Sequence, residues 1–141
     1  MADRRQGTLA AICAILFALG LVSAALGPVL PELAANTGSP LAALGTVFTA
    51  LFLGSLVALL TAGPLADHVG TRLTLLTGLV LLALGVLGIA ASRALPITLA
   101  CTFLGGLGHG AINISSNVMI SEVFADRRVS AVNLINVFFG A

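Results

Sequence analysis

The chain has 141 residues, 59% of them hydrophobic and 8% charged, with no Lys, Trp or Tyr and a formal net charge of +1. A packed water-soluble core cannot absorb that much apolar surface. Nor do scattered Arg residues make the basic face that phosphate binding needs, which excludes nucleic acid as a partner.

A bilayer span takes roughly 20 mostly apolar residues. Stretches of that kind occur at 8–27, 42–62, 73–91 and 95–120, bounded by the clusters of charge, proline and turn residues. A further apolar run, 129–141, is too short to cross at about 1.5 Å rise per residue. The expected fold is an all-α membrane protein with four full transmembrane helices plus a truncated fifth. Residues 1–141 then form one partial N-terminal transmembrane domain. Helices are required because the backbone must satisfy itself in lipid, and no alternating barrel pattern is present.

The first run follows Arg4 and Arg5 and could pass for a secretory signal, with Val22-Ser23-Ala24 as a cleavage site. Its length and the spans after it favour a retained helix. Pro28, Pro31, Asn36, Gly38, Ser39 and Pro40 then form a dense set of breakers, so 28–40 is predicted to be a loop. Cys13 and Cys101 fall inside spans without metal-ligand spacing and read as small buried residues.

Orientation follows from the arginines. Arg4, Arg5, Arg72, Arg127 and Arg128 share one side, and Arg93 lies opposite with Glu32. The positive-inside rule therefore places the N-terminus in the cytoplasm of a multi-pass plasma-membrane protein.

Between spans 2 and 3 lies Gly63-Pro64-Leu65-Ala66-Asp67-His68-Val69-Gly70-Thr71-Arg72. It reads as a tight connection in which Gly63 lets helices approach and Gly70 takes the positive φ of a sharp turn. Asp67 can accept hydrogen bonds from a helix N-terminus or an Arg, contacts that break when helices part, so the stretch can act as a gating latch. The plainer role is a solvated turn that fixes topology. Span 3 is the most uniformly apolar and is expected to face lipid or support its neighbours.

Span 4 carries a polar stripe at helical spacing, Thr102, Gly106, His109, Asn113 and Asn117, joined by Ser116. Polar groups at bilayer depth avoid lipid, so the stripe either lines a path or glues helices together. Gly106 and Gly110 form a GxxxG packing pattern. His109 is the embedded group whose ordinary pKa lies near neutrality, which makes it a candidate for a coupling proton or a hydrogen-bonded packing residue. Glu122, Asp126, Arg127 and Arg128 close the span, and Asn133 and Asn136 begin the next run.

The Gly63–Arg72 stretch resembles the loop between spans 2 and 3 of the major facilitator superfamily, of the form G-x-L-a-D-r-x-G-r-[RK]. Gly63, Leu65, Ala66, Asp67, Gly70 and Arg72 match, while His68 and Thr71 replace residues that are basic in many members. The glycine-rich Gly105–Gly110 is similar to span 4 of the same family, with Thr102 where many antiporters carry Arg. Asn117, Asn133, Asn136 and Phe139-Gly140 look most like the fucose-permease-like sugar branch. Asn113 and Gly27 stand where that branch uses carboxylates.

The resemblance implies the N-terminal helices of a secondary transporter working by alternating access on a small polar solute, with sugars preferred. It implies a solute path along His109, Asn113, Ser116, Asn117, Asn133 and Asn136. A gating loop of Gly63, Asp67, Gly70 and Arg72 and a charge network of Glu122, Arg127 and Arg128 complete the expected machinery. The partners are a small-molecule solute, the lipid bilayer and a coupling proton or other ion; no cofactor or metal is expected. A different reading is a self-contained small membrane exporter or assembly partner, which lacks the embedded carboxylate such exporters use. No catalytic triad, HExxH or phosphate loop supports an enzyme.

Overall fold

The computed structural model describes residues 2–124 together with Asn133 and Val137, residues 2–5 as backbone alone. Every regular element among the described residues is a helix: α1 (Ala2–Thr37), the short α2 (Leu41–Leu44), α3 (Thr46–Val69), α4 (Thr71–Ala91) and α5 (Leu95–Val123). By length and composition, Gln6–Thr37, Leu41–Val69, Thr71–Ala91 and Leu95–Val123 are each able to cross a membrane.

α1 departs from the expected loop at 28–40. It runs on through Pro28 and Pro31 as far as Thr37. An interior proline costs about 3 kcal/mol in water, but membrane helices tolerate it because freed backbone groups find partners nearby. Leu26, Leu30, Leu33 and Ala34 also keep the apolar period going, and they pack with Leu44, Val47, Ile89, Leu95 and Leu99. That packing holds the last three turns. The helix ends at Gly38, whose φ of 62° lets the Ser39 N–H reach back to the Ala34 carbonyl at 3.1 Å, a C-cap that only glycine adopts readily.

The expected connection at 63–72 is shorter than its sequence suggests. α3 carries through Pro64 to Val69. Ala58, Ala62 and Ala66 recur every fourth residue and are all buried, so the packed face continues past the proline. The turn is then Gly70 alone, at φ 93° and ψ 144°. Its N–H bonds Ala66 O at 2.9 Å, and its carbonyl accepts from the Thr74 N–H at 3.2 Å. The positive φ expected of Gly70 is present. The close approach expected at Gly63 is not: a Cβ added there would meet nothing within 4 Å.

These two glycines give opposite expectations. Gly63→Ala should leave thermal unfolding in detergent unchanged or slightly raised, because alanine is the better helix former. Gly70→Ala should destabilise by about 1–2 kcal/mol, the cost of forcing a Cβ into left-handed backbone. Equal midpoints for the two variants would contradict the turn geometry.

α5 is the centre of the bundle, packed along its length between α3 and α4, with α1 across a third side. Its glycines make this possible. A Cβ on Gly110 would come within 2.6 Å of the Ser55 carbonyl oxygen on α3, and one on Gly106 would overlap the carbonyl of Leu51. On the other side, a Cβ on Gly85 of α4 would lie 2.5 Å from Gly105 Cα, and one on Gly108 would strike the Leu82 backbone. α4 turns Thr74, Leu75, Gly78 and Gly85 inward and leaves Leu73, Leu76, Val80, Leu84 and Leu87 exposed, the division expected of a supporting helix with a lipid face.

α1 meets the bundle through two apolar clusters. Ile12, Leu16 and Leu19 pack with Leu75, Ile112 and Ile120 near the Arg72 end. Leu33 packs with Leu44 and Val47 near the opposite end.

Candidate functional site

Burial divides the polar stripe of α5. Thr102 is completely buried and bonds its own helix, its Oγ1 donating to the Thr98 carbonyl at 2.7 Å. Ser116 is also completely buried, one turn from both Ile112 and Ile120. Its Oγ has no hydrogen-bond partner, and the same is true of Ser115. His109, Asn113 and Asn117 are only half-buried. This is the part of the polar stripe that stays partly open.

His109 is held by α3. The Ser55 Oγ lies 3.2 Å from His109 Nδ1 and donates to the Gly106 carbonyl at 3.1 Å. A hydroxyl has one proton to give. With that proton on Gly106, the Nδ1 of the imidazole is the donor to Ser55. Ser55 was not singled out from sequence. A polar residue on a neighbouring span at the depth of His109 was the signal available.

Asn117 turns back on its own helix. Its Nδ2 donates to the Asn113 backbone carbonyl at 2.8 Å and to Asn113 Oδ1 at 3.2 Å. The spacing of four that suggested a shared path face also lets the two amides bond each other. Asn133 is helical and exposed. Asn136, Arg127 and Arg128 lie outside the described residues, as do the side chains of Arg4 and Arg5. Glu122, at the end of α5, is exposed.

Beside His109 lies a cavity of ≈ 390 Å³ between α1, α4 and α5. Its walls are mainly carbon, from residues such as Leu26, Val29, Leu82 and Val86. Ser23, Glu32, Asn36, Thr102 and His109 supply the polar groups. Glu32 and Asn36 reach this wall because α1 stays helical past the prolines. Reading a loop there hid them. The recurrence of Val22, Leu26, Val29, Leu33 and Asn36 at steps of three and four was the visible sign.

At the Arg72 end, Asp67 sits on the last turn of α3 and Arg72 on the first turn of α4, with Gly70 between them. Both side chains are exposed. The geometry is a carboxylate and a guanidinium held at a rigid helical corner and open to a further partner. Among the described residues no group of His, Cys, Asp and Glu could hold a metal ion.

This arrangement coincides with a family match along nearly the whole chain: residues 12–141 fit the model of the Major Facilitator Superfamily. The chain belongs to the Major Facilitator Superfamily. It is a multi-pass membrane protein of a transporter family rather than of an enzyme family.

Among its relatives in the superfamily, the 4-hydroxybenzoate transporter PcaK of Pseudomonas aeruginosa is 35% identical over 126 residues, covering 89% of this chain and 28% of that one. PcaK of Acinetobacter baylyi is 30% identical over 98% of this chain and 30% of its own length. The multidrug resistance protein MdtL of Shewanella oneidensis is 30% identical over 76% of this chain and 27% of its own. The chain thus spans less than a third of the length of these relatives. No solved structure matches it.

Proposed function

We propose that the chain serves secondary transport of a small organic solute by alternating access, as the N-terminal helices of the transporting unit. The observation that carries this reading is the half-open polar sector of His109, Asn113 and Asn117 on the helix packed between α3 and α4. Polar groups left open at that depth need water, solute or protein rather than lipid.

The Asp67–Arg72 corner is the gating latch in this proposal, on the cytoplasmic side of the plasma membrane together with the N-terminus. Glu122, Arg127 and Arg128 are its charge network. His109 is the candidate carrier of a coupling proton. Gly63 keeps its place in the motif without being a packing contact.

The solute we favour has an apolar body with a few polar groups, as the carbon-rich cavity suggests and as the names of the relatives, for 4-hydroxybenzoate and for multidrug resistance, support. A sugar is the second reading, supported by Asn113 and Asn117, whose amides carry both donors and acceptors. The test is uptake of labelled 4-hydroxybenzoate, neutral sugars and a lipophilic dye into cells expressing the chain in its full reading frame, with and without a protonophore. Accumulation of the aromatic acid favours the first solute class, and accumulation of sugar alone moves the assignment to the second. If no solute is accumulated or extruded beyond control cells, the transport reading fails.

A further inference from the structure

Ser55 of α3 stands between two groups of α5, its Oγ 3.1 Å from the Gly106 carbonyl oxygen and 3.2 Å from His109 Nδ1. A carbonyl can only accept, whereas an imidazole nitrogen gives or takes according to its tautomer. Both contacts are hydrogen bonds at once in a single arrangement, with the hydroxyl proton on Gly106 and a ring proton on Nδ1. Turning the hydroxyl proton toward Nδ1 instead would leave two oxygens 3.1 Å apart with no proton between them.

The pair sits where α3 and α5 are least able to slip. Ser55 follows Gly54, where an added Cβ would overlap the Phe103 carbonyl oxygen of α5. Gly106 and Gly110 make the reciprocal approaches from α5, to Leu51 and to Ser55 itself. Small residues that bring backbone against backbone on both sides of the pair fix the depth at which Ser55 meets the ring.

A neutral imidazole protonated on Nδ1 carries its lone pair on Nε2. His109 is half-buried and lines the cavity between α1, α4 and α5. Among the described residues lining that cavity, Glu32 of α1 is the other titratable side chain; α3, α4 and the rest of α5 bring none to it. A proton added at Nε2 turns the ring into an imidazolium and breaks no bond to Ser55, because Nδ1–H is a donor in both charge states.

We propose that Ser55 is a positioning residue for His109: it anchors the ring through Nδ1 in both charge states, which makes Nε2 the nitrogen that takes up and releases a proton. The proton comes from water or from an acidic O–H of the solute, and it returns to a group of the same kind when the ring is discharged. The use of that proton in coupling rests on the transport reading above, whereas the Ser55 anchor and the Nδ1–H tautomer do not.

Two measurements separate those parts. The first is nitrogen NMR of the full-length protein carrying isotope-labelled histidine, at alkaline pH, with the His109 signals assigned by their loss in His109→Gln. The expected result is a protonated Nδ1 and an unprotonated Nε2. Ser55→Ala, which removes one oxygen atom and adds no bulk to the seam, should shift the proton toward Nε2, and Ser55→Thr, which keeps a hydroxyl, should retain the parental signals. A proton on Nε2 in the parent, or identical signals in the parent and Ser55→Ala, overturns the anchor.

The second compares accumulation driven by a pH gradient with exchange of labelled for unlabelled solute in its absence, using 4-hydroxybenzoate, or glucose if sugar alone is accumulated. Ser55→Ala should lower accumulation relative to exchange about fivefold, the equivalent of one ordinary hydrogen bond, and Ser55→Thr should restore it. An unchanged ratio overturns the coupling role, since a merely structural defect lowers both alike. A parent that moves no solute defeats the transport reading and the coupling role together, and the nitrogen signals still decide the anchor.

Discussion

Gly106→Leu is expected to remove most of the folded protein from the membrane. A Cβ at Gly106 already overlaps the Leu51 carbonyl and comes within 3.2 Å of Gly54 Cα. These are backbone atoms of α3, which cannot swing aside as a flexible side chain does. The helices must separate, and separation opens the seam on which Gly110, Ser55 and Ala58 also meet. Overpacking in an adaptable core costs about 1–3 kcal/mol. A branched side chain against backbone belongs at or above the top of that range, a large fraction of the stability of a small domain. The same substitution at Gly63, where a Cβ meets nothing, supplies the control. Fluorescence-detected gel filtration of the two variants should show a sharp peak for Gly63→Leu and aggregate for Gly106→Leu. Two sharp peaks would mean that the α3–α5 seam is softer than its backbone contacts indicate.

Asp67→Asn should act in the opposite manner, sparing the fold and removing function. Asp67 is exposed on the last turn of α3, so its charge supports no buried contact in the packed helices. If it latches the cytoplasmic side through a charge-assisted hydrogen bond, that bond contributes roughly 1.5–3 kcal/mol. Its loss then lowers uptake by roughly 10- to 100-fold. Membrane level and thermal midpoint should match the parent. Undiminished uptake would reduce Asp67 to a topological marker. Reduced uptake with reduced insertion would place the defect in assembly instead of gating.

The sequence and the structure agree where apolar length decides the outcome and diverge where local chemistry does. α4 and α5 follow their hydropathy almost to the residue, because a helix in lipid satisfies its own backbone. The positive φ at Gly70 was legible too, since a glycine between two apolar helices has few other uses. Pro28, Pro31 and Pro64 misled because proline rules describe helices in water. In each case continued packing, by Leu30 and Leu33 or by Ala62 and Ala66, carries the helix onward.

The candidate site was legible as a stripe and not as a mechanism. Spacing placed His109, Asn113 and Asn117 together on one open sector. It could not tell that Asn117 would donate to Asn113 or that Ser55 would hold His109. Those outcomes depend on side-chain rotamers and on the depth at which a neighbouring helix crosses. Spacing also assigned Gly106 and Gly110 to one packing face without revealing that Gly105 and Gly108 serve a second one.

The joint at Gly70 sets how α3 and α4 can move. With a single residue between the last turn of one and the first turn of the other, there is no slack for either helix to slide along its neighbour. Relative motion is confined to a scissor about that corner. At the other end, where Thr46 and Ala91 lie, the cluster of Leu33, Leu44, Val47 and Ile89 ties the bundle together, so the helices part there only when that cluster opens. A pair of distance labels should register change at that far end and almost none beside the pivot.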